Sequence, residues 1–212
     1  MKLKSLLCCV IVLALAVVSC SKDDEALPSY QFSLADVATT HDGTAQSVTF
    51  DDGISYPLAS AIRGLKADTT YRVQVAYLLD ANNTVHLGSL SQLLAPKVET
   101  YPAEKVVEDP LDVLTCWQTK RYINFRLSVK GTATGKQMFG FHRAECRQNA
   151  DGSRTLEVKL LHSQNEDPLY YSRELYLSLP LQSLPDDLTP QKDSIRVHVA
   201  TFSGKRSYAF PL

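Results

Sequence analysis

From Leu27 onward the hydrophobic positions recur mostly at every second residue, the period of a strand with one buried face. Tyr30, Phe32 and Leu34 alternate with Gln31, Ser33 and Ala35. Residues 47–50 and 54–58 flank Asp51, Asp52 and Gly53, a loop whose glycine can take the positive φ that a three-residue hairpin commonly needs. Tyr71, Val73, Val75, Tyr77 and Leu79 share one face, with Arg72 and Gln74 on the other. That pattern predicts one side packed into a core and the opposite side in water. Residues 80–83 have turn chemistry, and Val85, Leu87, Ser89 and Ser91 carry a return strand. Five short strands without a long helix fit a small barrel.

Pro96, Pro102 and Pro110, interspersed with Glu99, Glu104, Glu108 and Asp109, interrupt the alternation and predict a linker. The expected units are a barrel over 28–106 and a second β-domain over 107–212. The second half restarts at 111–117 and 122–129, where Ile123, Phe125, Leu127 and Val129 oppose Asn124, Arg126 and Ser128. Strands at 138–147 and 154–162 bracket the turn residues 149–153. Leu175, Leu177 and Leu179 form another strand ended by Pro180, Ile195, Val197 and Val199 a further one, and 206–211 a short last one. Six or seven strands at fairly even spacing predict a β-sandwich, and an all-β protein as a whole.

The N-terminus follows a different pattern. Lys2 and Lys4 precede an unbroken apolar run over 6–18, shorter than the roughly 20 residues that span a bilayer and within the roughly 7 to 15 of a signal-peptide core. Residues 1–19 therefore read as a signal peptide, with the small Ser19 before the cut and Cys20 as the first mature residue. The arrangement resembles a bacterial lipobox, with Val17 where a leucine is more usual. The resemblance implies acyl chains on Cys20 and hence a membrane partner, since several chains anchor durably where one binds marginally. Residues 20–27 form an acidic tether. Ser21 resembles an outer-membrane sorting signal, and residues 22–25 resemble the surface-export tag of Bacteroidetes-type lipoproteins; the bland alternative is a solvated spacer.

The chain of 212 residues carries 22 basic and 23 acidic side chains, and loss of Lys2 and Lys4 leaves 20 against 23. No basic stripe offers a field for nucleic acid. Cys8 and Cys9 leave with the signal, so Cys116 and Cys146 either form one bridge or remain as two buried thiols. No close His or Cys pair has zinc-like spacing, so no metal is expected. His142 and Cys146 would lie about 13 Å apart on a strand. His41, His86, His162 and His198 stand singly and read as surface or packing residues. Asp51 with Asp52, and Asp186 with Asp187, sit beside turns and point to opposite faces rather than forming an acid/base pair. No nucleophile elbow, phosphate loop or zinc-protease pair occurs, so neither catalysis nor a cofactor is expected. Trp117, the lone tryptophan, could stack on a sugar or a base but is expected to pack as core. Tyr170, Tyr171 and Arg173, close to Pro168, form the candidate interaction patch.

Signal, lipobox, tether and two β-units coincide with Phe50-Asp51-Asp52-Gly53, with Tyr71-Arg72-Val73 through Tyr77, and with Leu114-Thr115-Cys116-Trp117 through Tyr122-Ile123-Asn124. Together these resemble the NigD-like lipoproteins of Bacteroidetes-type bacteria, a family named after a bacteriocin-associated locus. The resemblance implies an OB-like barrel followed by an immunoglobulin-like sandwich and brings no catalytic residues. It sets the expectation of a non-enzymatic binding or accessory lipoprotein that holds another envelope protein or a glycan. The alternative is a fimbria-like structural subunit that exchanges a strand drawn from 195–201 and 206–210.

Overall fold

The computed structural model describes residues 29–185 and 187–212; the expected signal peptide, Cys20, the expected tether and Asp186 lie outside the described residues. Five strands make the first unit: β1 (Gln31–Ala38), β2 (Ala45–Phe50), β3 (Ser55–Ile62), β4 (Thr70–Leu79) and β5 (Val85–Gln92). They close in the order β1-β2-β3-β5-β4, with β4 antiparallel to β1 and β3 parallel to β5. Closure leaves this sheet without an edge, as in an OB-like barrel. The alternation seen in β4 fills the interior, where Val73, Val75 and Tyr77 join Val48 from β2 and Val85 from β5. In β1 the phase is the reverse of the one expected, since Ala35 and Val37 point inward while Tyr30 and Phe32 stay exposed, the small side chains fitting the narrow interior. Between β2 and β3, Gly53 has φ +88° and donates its N–H to the Phe50 carbonyl, while the Ile54 N–H donates to Asp52. This tight tip fixes the direction of Asp51 and Asp52.

The second unit is a sandwich. One sheet has the order β13-β12-β10-β9-β6 and the facing sheet β11-β8-β7, where β6 is Val98–Glu99, β7 Asp112–Gln118, β8 Tyr122–Gly131, β9 Met138–Gln148, β10 Arg154–Ser163, β11 Tyr171–Pro180, β12 Ser194–Thr201 and β13 Gly204–Pro211. Ile123, Phe125, Leu127 and Val129 project from β8 against Phe141, Leu156, Val158, Leu160, Ile195 and Val197, all essentially without solvent contact. The five-stranded sheet is mixed, since β10 runs parallel to β12 and β6 parallel to β9.

The proline-rich stretch differs from the expected linker. β6 pairs with β9, the Ser178 N–H donates to the Leu94 carbonyl, and residues 107–109 exchange backbone hydrogen bonds with His162. Prolines prevent a continuous strand here, but they do not stop the intervening N–H groups from pairing one at a time. The sandwich therefore begins before residue 107. His162 is buried, stacked on Phe139 with centroids 4.9 Å apart, and burial pushes its pKa below the ordinary histidine value.

The two cysteines of the body are unbonded. Cys116 lies on the three-stranded sheet packed against the core, whereas Cys146 lies on the outer, exposed end of β9 in the other sheet, so neither a bridge nor two buried thiols describes them. Burial pushes the Cys116 thiol up to about 12. Because the thiolate is the reactive form, a maleimide at neutral pH should modify Cys146 in the native protein and Cys116 only after denaturation; mass spectrometry of the labelled peptides reports which.

Candidate functional site

The residues that face away from both cores define the site. On β1 and β4 the interior positions are Ala35, Val37, Val73 and Val75, so Leu34, Asp36, Arg72 and Gln74 project outward from the barrel, with Asp36 directly opposite Arg72 in the strand register. On the three-stranded sheet, Trp117, Asn124 and Ser178 are aligned across β7, β8 and β11 on the face opposite the core. The two outward faces meet, and the polar residues between them are buried.

Arg72 is the centre of this contact, its side chain only 3% exposed. Its Nη1 and Nη2 donate to the two Asp51 carboxylate oxygens at 2.6 and 2.8 Å. Nη1 also reaches Asp36 at 3.3 Å, Nη2 the Asn124 Oδ1 at 3.1 Å, and Nε the Ser178 Oγ at 3.2 Å. All five guanidinium donors thus have acceptors. The guanidinium also lies 3.9 Å from the centroid of the Tyr122 ring, in cation–π geometry. Tyr122 donates its hydroxyl to Asp36, Arg121 adds an ion pair to the same carboxylate at 2.8 Å, and Asn124 Nδ2 donates to Asp51 at 3.0 Å. Burial, reinforced by the Asp36 charge, pushes the Tyr122 phenol up to about 12, so it remains a donor at neutral pH. Two cations and two anions balance within the boundary.

Beside this network a cleft of about 460 Å³ opens between barrel and sandwich, within the roughly 300–1,000 Å³ range of small-ligand sites. The barrel wall is aromatic: Phe50 packs against Tyr77 at 4.8 Å and edge-on to Tyr56 at 5.6 Å, and Phe32 stands largely exposed at 70%. The sandwich wall is Trp117, edge-on to Tyr176 at 6.3 Å. Trp117 was expected in the core; instead it is half-buried on the outward face, because the β7 register places it opposite Asn124 rather than Phe125. Asp51, Asp52, Ser33, Gln74 and Thr119 supply the polar lining. A wider cleft on the same boundary, about 830 Å³, is lined by Tyr71, Arg72, Lys97, Glu99 and Tyr122 among others.

The other sequence candidates lie elsewhere. Tyr170 is 80% exposed and Tyr171 46%, both turned outward beside the exposed Leu169, whereas Arg173 is partly buried. His41 and His86 contact the turn residues Asp68 and Asp80, His142 accepts the Tyr101 N–H, and His198 lies 2.6 Å from the buried Glu157. No group of three or more metal-ligating side chains occurs among the described residues. Arg72, Asp36, Tyr122, Asn124 and Ser178 were not singled out as site residues from the sequence. A polar residue on the outward face of a strand reads the same whether water or another domain covers it. The available signal was an arginine on β4 and two acids, Asp36 on the adjacent β1 and Asp51 in the turn after β2, in a small barrel.

A closed five-stranded barrel docked on a β-sandwich through a buried polar boundary defines the class of the protein. Residues 94–212, more than half of the chain, match the family model of the NigD-like C-terminal beta sandwich domain. The chain belongs to the NigD-like family. Solved structures with the same fold include a NigD-like immunity protein from Bacteroides caccae, 24% identical, covering 86% of this chain and 92% of that one with a TM-score of 0.64. A protein from Parabacteroides distasonis described as toxin-related is 16% identical over 87% of this chain and 93% of its own, with a TM-score of 0.67. One from Bacteroides fragilis described as a lipoprotein is 10% identical over 86% and 96%, with a TM-score of 0.59. At such identities the likeness establishes the fold. A search of curated proteins finds no match.

Removing the central cation would leave Asp51 without its bidentate partner and the largely buried Asp36 with only Arg121 and Tyr122. An Arg72→Ala variant should lose about 3–5 kcal/mol of stability in urea denaturation, and Arg72→Lys should recover little of it, because an ammonium cannot replace the bidentate fork.

Proposed function

We propose that the protein is a non-enzymatic binding lipoprotein of the cell envelope that holds its ligand in the cleft between barrel and sandwich. The observation that carries this reading is the cleft itself, walled by partly exposed aromatic rings from both domains and braced by the Arg72 network. Aromatic rings left half in water supply apolar contact area with little conformational entropy to lose on binding. Relatives of the fold described as an immunity protein and as a lipoprotein support a binding role in the envelope over a catalytic one. Cys20 is the proposed anchor, to the outer membrane, with Lys22, Asp23, Asp24 and Glu25 favouring display at the cell surface. Leu169, Tyr170 and Tyr171, a contiguous exposed apolar patch, supply a separate surface for another envelope protein.

Two measurements test this reading. Replacement Cys20→Ala should abolish labelling by a radioactive fatty acid and leave uncleaved precursor; continued labelling would overturn the anchor. A photo-cross-linking amino acid at Phe32 in intact cells should capture a discrete species, and one at Tyr170 a protein partner. Absence of any adduct from Phe32, with the Tyr170 adduct intact, would move the binding site from the cleft to the patch.

A further inference from the structure

The chemistry of the cleft restricts what it can hold. Its lining includes no Lys, Arg or His, and the nearest cation, Arg72, is buried and neutralised by Asp51 and Asp36. A phosphate, a sulfate or a nucleic acid would find no charge to pair with. The acidic side is nearly as quiet. Asp51 has both oxygens engaged by Arg72 and Asn124, and one oxygen of Asp52 accepts the Ile54 N–H, which leaves one further carboxylate oxygen for a ligand. A basic peptide would need more than that.

What remains is an aromatic surface edged by neutral hydrogen-bonding groups. Phe32, Tyr56, Trp117 and Tyr176 present ring area, while Ser33 and Gln74 present a hydroxyl and an amide; the Thr119 hydroxyl is already engaged by the Arg121 and Tyr122 backbone. An acyl chain would cover these polar groups without satisfying them, at a cost of roughly 1–3 kcal/mol each on the scale of protein mutations. A sugar ring satisfies both requirements: its C–H face lies on an aromatic ring and its hydroxyl rim donates to and accepts from neutral side chains. Carboxylates and amides are common partners of such hydroxyls, and Asp52 and Gln74 lie in the same wall.

We infer that the cleft between barrel and sandwich binds a neutral carbohydrate, stacked on Trp117 and the exposed Phe32 and hydrogen-bonded by Ser33, Gln74 and Asp52. The assignment rests on the binding-protein reading above and adds the ligand class to it. It makes Phe32 a binding residue by virtue of its position, since a phenylalanine at 70% exposure contributes little to the barrel core.

Trp117 is the chain's single tryptophan, so its emission reports this cleft alone. The full-length protein in detergent would be titrated with short gluco-, manno-, xylo- and N-acetylglucosamine oligosaccharides, and with oligolysine and a sulfated oligosaccharide as charged probes. The expected result is a saturable change in emission with at least one neutral series and with neither charged probe. Phe32→Ala should weaken that binding about three- to tenfold, from the value of one aromatic contact. Tyr170→Ala, remote from the cleft, should leave it unchanged. A response to oligolysine or to the sulfated sugar alone overturns the carbohydrate assignment and keeps the cleft as a binding site. Silence toward every probe, with a cross-linked species still captured through Phe32, also overturns the assignment alone. Silence together with no adduct at Phe32 overturns both readings.

Discussion

The Arg72 guanidinium uses all five of its N–H groups at the boundary between barrel and sandwich, and the relation of the two domains depends on it. A boundary built only from apolar surface would allow many sliding arrangements of similar energy. A largely buried charge allows few, because a displacement that breaks a hydrogen bond to Arg72 leaves a donor or an acceptor without its partner. The acceptors come from both sides: Asp36 and Asp51 from the barrel, Asn124 and Ser178 from the sandwich. The network therefore fixes orientation as well as contact, and the cleft beside it inherits a fixed shape.

Much of this architecture was legible in the chain. The alternation in β4 and β8 identified the core residues Val73, Val75, Phe125 and Leu127, and Asp51-Asp52-Gly53 identified a hairpin tip whose glycine does adopt positive φ. What was not legible was the fate of the opposite faces. Arg72 and Asn124 alternate with core residues as solvent-facing residues do, and period alone does not say that a second domain covers them. The prolines at 96, 102 and 110 misled for a related reason: they exclude a long strand, yet residues 94–109 still pair with the sandwich through single bridges and the two-residue β6. Trp117 was misjudged by one step of register, which separates the core face from the outward face.

The sequence segments that carry the resemblance to NigD-like lipoproteins converge in space. Asp51, Arg72, Tyr122 and Asn124 are the boundary, and Phe50, Asp52, Tyr77 and Trp117 line the cleft beside it. Segments that looked like loose strand patterns in one dimension are thus the contact between domains in three. That convergence links the family assignment to a physical structure, and it places the aromatic lining where both domains are needed to form it.

The chain order of the boundary residues carries a consequence for how the molecule is made. Asp36, Asp51 and Arg72 all belong to the barrel, whereas Tyr122, Asn124 and Ser178 arrive later along the polypeptide. Domains generally fold as units, the N-terminal one first during synthesis. On that order the barrel residues Asp36, Asp51 and Arg72 would be in water until the sandwich covers them. The sandwich, once folded, exchanges that water for an amide, a hydroxyl and an aromatic ring. The cleft, whose walls come from both domains, would then exist only once the second domain has docked on the first.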